Sequence, residues 1–483
     1  MPVDLDELFT SLARQSDALP IGTSAQARRR GEQRRNRSRA VLATAAAVLL
    51  ILAGVGVINL RHRDAEPILP ATTPSRIRGM AQLGDPVQPP AGETWRAARI
   101  SGDRVIGLSN SELAAIDTRT GRRLWTVPGL STSYLGVVAT AKAVILVRSS
   151  DKQPEDIKGA EARVMEFHDP ATGAERWTLP HTTDDRLVLH RDVLVRLAAG
   201  TGRITAYSLD SGKTLWSAPD RAKLISGMQT EADASEDHYG VSSALYMPES
   251  EKAFPYTDDR LISITAKGRV VIRNIRTGKV RSTVQGRPNP EGLSGYGGTV
   301  YTEEFSAGGR VPGTPARLLY APRRPWNWNQ AFPCGPDRLC LFEYRPVGDP
   351  AEEKAEAHLV VIDAKTGKVL RTTGAVPQNG SNAVRLGHIM TSGTGLKGTA
   401  LYDEAGQARY SDNGIGGFID DGNALTLTRD AGDGRFTARG ISNIDFKKIE
   451  LGTMPELSGR CDWNEDLLTC PTQQGLHTWR FTR

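Results

Sequence analysis

The 483-residue chain predicts an all-β fold, a β-propeller of eight blades with seven as the alternative, preceded by one transmembrane helix and a short cytoplasmic segment. Two observations predict it. One ten-residue motif is written three times, as IDTRTGRRLW ending at Trp125, HDPATGAERW ending at Trp177 and YSLDSGKTLW ending at Trp216. Ahead of every copy stands one charge-free apolar run. A repeat whose period holds about four short strands is the signature of propeller blades.

The N-terminal segment, residues 1–39, places Leu5, Leu8, Phe9 and Leu12 at i, i+3, i+4 and i+7, one stripe of a short helix. Asp4 and Glu7 give it a capping-box-like start. So short a helix is marginal alone in water, so the stripe is expected to bury against a cytoplasmic protein partner. Its acidic start disfavours anionic lipid.

Residues 40–60 run from Ala40 to Leu60 without a charge. At 1.5 Å per residue they reach about 30 Å, the thickness of a hydrocarbon core, and are expected to cross the membrane once. Arg28, Arg29, Arg30, Arg34, Arg35, Arg37 and Arg39 precede the run, against Arg61 and Arg63 after it. The positive-inside rule keeps the N-terminus cytoplasmic and everything after Leu60 extracytoplasmic. A cleaved signal fits less well, because the apolar core exceeds the usual 7–15 residues or so. Residues 61–94 carry Pro67, Pro70, Pro74, Pro86, Pro89 and Pro90 and read as a stiff linker.

Residues 95–483 are the propeller. In each clear copy of the motif a Thr-Gly or Ser-Gly turn ends an apolar run, and a Trp follows four residues after the Gly: Gly121 and Trp125, Gly173 and Trp177, Gly212 and Trp216. Gly suits a turn position with positive φ, and the Trp falls on the next strand. Degenerate copies end at Gly278, Gly367 and Gly406, where Ser282, Arg371 and Tyr410 replace the Trp. Further sites near Leu319 and Asp445 bring the count to eight, and the C-terminal strands, Cys461 to Arg483, are expected to close the ring against a strand near Trp95.

The pattern Asp-x-x-Thr-Gly-x-x-x-Trp resembles the tryptophan-docking repeat of PQQ-like, or quinoprotein dehydrogenase-like, β-propellers. The resemblance implies that each Trp packs on the turn of its neighbour, largely buried between blades, as structural glue. It does not carry a function, since enzymes, sensors and assembly factors share the architecture.

Quinone-using relatives need adjacent cysteines, or similar packing over the cofactor, and a calcium site, and this sequence has neither adjacent cysteines nor a recognisable ligand set. No cofactor is therefore expected. The four cysteines form two close pairs bracketing turns, Cys334 with Cys340 and Cys461 with Cys470, expected as disulfides on an oxidising side of the membrane. Zinc on four thiolates is disfavoured by spacings that are not Cys-x-x-Cys. The eight histidines show no pair at metal spacing and read as surface or strand residues, so no metal is expected either. Asp184-Asp185, Asp258-Asp259 and Asp420-Asp421 read as solvated turns. The runs at Gly295 to Gly298 and Gly414 to Gly417 lack the lysine of a phosphate loop, and no Gly-x-Ser-x-Gly elbow is present. Three polar insertions, 151–161, 227–259 and 345–357, interrupt the repeat between strands.

The formal charge of +6 does not point to nucleic acid. Eight of the arginines and five of the acids precede residue 40, so the propeller is nearly balanced and shows no basic stripe with interleaved aromatics. The first reading is a non-enzymatic membrane-anchored propeller that binds an extracytoplasmic protein or peptide. The alternatives are a transmembrane regulator whose N-terminal helix docks a cytoplasmic partner such as a sigma factor, and a quinoprotein-type dehydrogenase.

Overall fold

Each copy of the motif folds as a tight turn because its own side chains satisfy the turn backbone. Asp117 Oδ1 accepts hydrogen bonds from the backbone N–H of Arg119 (2.9 Å) and Thr120 (2.8 Å) and from Thr120 Oγ1 (3.0 Å). Asn274 and Asp363 repeat the arrangement, and Asp169 bonds the N–H groups of Ala171 and Thr172. The following glycine then takes φ near +70°, +66° at Gly121, +74° at Gly173 and +67° at Gly212. In the clear copies the strand pairing shifts register next to the turn, at Ala115/Ile116, Phe167/His168 and Ala206/Tyr207. Such a bulge twists the outer strand toward the next blade.

The computed structural model describes residues 75–483 apart from 131–133, 151–160, 230–257, 290–291, 297, 305–307, 312–316, 324–325, 335–336, 347–354, 376–379, 386, 394–397, 404–405 and 431. No helix occurs among the described residues, and none there is long and apolar enough to cross a membrane. The expected span at 40–60 and the stripe of Leu5, Leu8, Phe9 and Leu12 lie outside them, as do most of the three insertions.

The strands build an all-β propeller of eight hydrogen-bonded sheets. Seven have four strands. The other has eight, because the meanders of residues 222–285 and 292–318 join through two parallel pairs, Met228 with Gly295 and Gln229 with Tyr296. Counted as four-strand meanders, the described ring therefore has nine members, with one buried apolar cluster between each neighbouring pair. Eight of the meanders match the eight turn sites of the sequence. The ninth closes the ring and carries no turn glycine, so a search for that glycine passes over it.

Closure differs from the expectation. The C-terminal strands β35 (Leu467–Thr472) and β36 (Gly475–Thr482) pair with β1 (Gly79–Gln82), Gly79 lying opposite Thr482 and Gln82 opposite Trp479. The strand after Trp95, β2 (Ala97–Ser101), instead meets this sheet from the side: Ala98 N donates to Arg460 O (3.0 Å) and Ile100 N to Asp462 Oδ2 (2.8 Å). The propeller thus reaches back into the stretch expected to be linker at 61–94. The stretch from Ser75 to Asp85 contains no proline, so nothing in it prevents strand pairing. Ile77, nearly fully buried, and Trp95, fully buried, seal the closing sheet on either side.

Candidate functional site

The three tryptophans of the repeat lie on outer strands of the first three meanders: β5 (Arg123–Pro128), β9 (Glu175–Thr182) and β13 (Thr214–Ala218). Each indole meets the turn glycine of the following meander. A Cβ built on Gly173 would stand 2.5 Å from the Trp125 ring, one on Gly212 2.5 Å from Trp177, and one on Gly278 2.7 Å from Trp216. The indole N–H groups donate to the same turns: Trp125 to Pro170 O (3.2 Å), Trp177 to Leu209 O (3.0 Å) and Trp216 to Ile275 O (2.8 Å). The rings are partly buried, each lying on an outer strand with one side against the neighbouring turn. Two later turns are covered by arginine instead. Arg371 lies over Gly406, and in the eighth meander the glycine itself gives way to Phe446, at φ +56°, under the Arg409 guanidinium.

Polar side chains gather in buried groups that the linear sequence does not show. Between the first and second meanders, Glu166 accepts from Arg148 Nε (2.6 Å) and Tyr134 Oη (2.8 Å). Burial opposes ionisation of Glu166, but its contacts with His168, Arg148 and Tyr134 outweigh it and bring its pKa to about 2. Glu166, His168 and Glu175 bring three donor atoms within 4.8 Å of one another. In the sixth meander Glu343 holds Tyr320 Oη and His358 Nε2, with Trp326 edge-on to His358 at 4.1 Å. Between the seventh and eighth, Asp412 binds Tyr410 and Arg439.

Several residues expected at the surface are interior. His168, His181, His190 and His477 are buried. Asp185 accepts from Thr182 N, Arg196 Nε and Ala199 N, and Asp420 from Arg483, Gly422 N and Asn423. Each caps a loop end from inside, so only one member of those acid pairs is a solvated turn residue. Both disulfides are formed: Cys334–Cys340 staples the first hairpin of the sixth meander and Cys461–Cys470 the closing sheet. The surface carries exposed Leu124, Leu215, Val280, Val369 and Leu370 on the outer strands, at or next to the residue before the docking position.

A family model described as outer membrane protein assembly factor BamB matches residues 25–179 and again 109–296. The chain belongs to that family. No curated protein matches it. Among solved structures, a crystal structure titled as the eukaryotic initiation factor has 12% identity and TM-score 0.52, over 84% of this chain and 98% of that one. BamB from Moraxella catarrhalis has 13% identity and TM-score 0.43, over 83% of this chain and 100% of that one. The computationally designed Ika8 protein has 12% and 0.42, over 84% and 100%. At 12% identity the first of these shows a shared fold alone. In this BamB-family propeller the docking tryptophans serve the ring itself, whereas the outer strands carry the exposed apolar side chains.

Proposed function

We propose that the chain is a non-enzymatic, membrane-anchored propeller that binds an extracytoplasmic protein or peptide. The observation that carries this reading is the family match, whose description is that of a protein assembly factor. The outer strands support it. Their free edges carry solvent-exposed Leu124, Leu215, Val369 and Leu370 beside unpaired backbone groups, the features by which an extended segment adds to a sheet. The apolar run at 40–60 and the arginines before it support one span with the N-terminus in the cytoplasm, and the two disulfides agree with an oxidising compartment for the propeller. A photo-crosslinking amino acid placed at Leu215 or Leu370 of the full chain in cells tests it. Discrete protein adducts are expected, and their absence at both positions overturns the reading.

The amphipathic stripe Leu5, Leu8, Phe9 and Leu12 favours a second reading, a transmembrane regulator whose N-terminal helix docks a cytoplasmic protein such as a sigma factor. A pull-down with residues 1–39, compared with the same segment carrying Leu8→Asp and Leu12→Asp, tests it. One partner captured by the first and lost with the second supports the regulator, and no difference between them removes it.

A further inference from the structure

The hairpin between β8 (Ala162–His168) and β9 brings three metal-ligand side chains to one place. Glu166 and His168 lie two residues apart on one strand and so share a face, and Glu175 is paired with His168 across the turn. Sequence inspection for histidine pairs three or four apart, a helical spacing, is blind to this arrangement, which alternates on a strand and returns across a hairpin.

His168 is 2% exposed. Its Nδ1 lies 3.0 Å from the carbonyl oxygen of Gly173. A carbonyl only accepts, so Nδ1 carries a proton and Nε2 is the nitrogen left for a metal, which would displace any proton there; a backbone carbonyl orients a metal-binding imidazole in this way. That buried Nε2 has no hydrogen-bond partner. Glu166 Oε2 stands 3.8 Å away, beyond hydrogen-bond reach, and a Glu175 oxygen lies within 4.8 Å of a Glu166 oxygen and of a His168 ring nitrogen. Two carboxylates gathered on a buried imidazole leave a place for a cation. Zinc bonds of about 2.0 to 2.1 Å in a tetrahedral site set neighbouring donors about 3.3 Å apart, so a small rotation of exposed Glu175 and a sub-ångström shift of the other two would close the site. Arg148 on Oε1 and Tyr134 on Oε2 hold the Glu166 carboxylate in position, as outer partners of a metal ligand do.

We propose that Glu166, His168 and Glu175 hold a divalent transition-metal ion, zinc being the best fit to one imidazole and two carboxylates. The site lies on the turn that Trp125 covers through Gly173, so the ion fastens the docking turn between the first and second meanders.

The test uses the full chain in detergent, stripped with EDTA, then titrated with Zn²⁺ by calorimetry and with Co²⁺ by visible absorption. The expected result is one Zn²⁺ per chain and a Co²⁺ ligand-field band that Zn²⁺ abolishes. Glu175→Gln, at an exposed position that leaves the fold intact, is expected to weaken Zn²⁺ at least ten-fold, and His168→Gln to remove the Co²⁺ band. A wild-type chain that binds no Zn²⁺ stoichiometrically overturns the proposal. So does binding unchanged in Glu175→Gln with its circular dichroism intact, or a site that millimolar Mg²⁺ fills equally well, since Mg²⁺ has little affinity for imidazole.

Discussion

The indole of Trp177 packs on Gly212 of the next meander so closely that a Cβ there would stand 2.5 Å from the ring, while its N–H donates to Leu209 in the same turn. Glycine is thus required twice at this position, by φ of +67° and by the approach of the ring. Gly212→Ala is expected to cost about 2 kcal/mol or more, and Trp177→Ala about 2 to 4 kcal/mol, below a fully buried truncation because the ring is only partly buried. Gly121, with the same positive φ but nothing within 4 Å of a built Cβ, is the control: Gly121→Ala is expected to cost only about 1 kcal/mol of backbone strain. Thermal scans at one fixed rate rank the three, and equal losses for Gly212→Ala and Gly121→Ala would show that ring contact contributes nothing.

Ring closure through β1 makes a prediction about boundaries. A chain starting at residue 75 is expected to fold as a monomer, whereas one starting at residue 95 leaves the edge of β36 unpaired and is expected to melt lower and self-associate. Light scattering beside the melting curve checks it; identical behaviour of the two would mean that β1 is dispensable.

Two disulfides are expected in the exported protein, Cys334 with Cys340 and Cys461 with Cys470, each contributing about 2 to 3 kcal/mol. All four cysteines are nearly fully buried. Mild reductant without denaturant is therefore expected to leave both pairs intact, as read by mass spectrometry of alkylated, unreduced peptides.

Acid sensitivity follows from buried histidines. Burial pushes His181 down to about 4, partly offset by Asp185, and pushes His477 down as well. The folded chain holds both neutral, while the unfolded chain binds protons near pH 6.5. Their contribution is complete above about pH 6.5 and is lost as pH falls from there toward 4, because the unfolded state binds more protons in that window. His181 alone accounts for up to about 3 kcal/mol at the bottom of the window. Unfolding midpoints of wild type and His181→Asn between pH 7 and 5 are expected to converge on acidification; parallel curves would remove His181 from the account.

Sidedness is tested with a membrane-impermeant amine reagent on intact cells. Exposed Lys213 and Lys365 are expected to be labelled before lysis. Labelling that appears only after the membrane is broken would invert the orientation and with it the outside-partner reading.

The sequence by itself determined the propeller. An Asx side chain, a positive-φ glycine and a tryptophan four residues on act within a dozen residues, and such local chemistry is readable wherever it recurs. It also carried both disulfides, since each pair brackets a single turn. Only the tertiary structure decided the rest. The ninth meander joins strands about 400 residues apart, Gly79 to Thr482, and no local signal marks such a pairing. The burial of Asp185, His181 and His477 depends on which meander faces which. The meeting of Glu166, His168 and Glu175 depends on strand alternation and on register across a hairpin. Those are properties of a sheet once formed, where side chains two apart share a face and partners lie across the turn, and neither relation is a spacing that a linear scan for ligands reads.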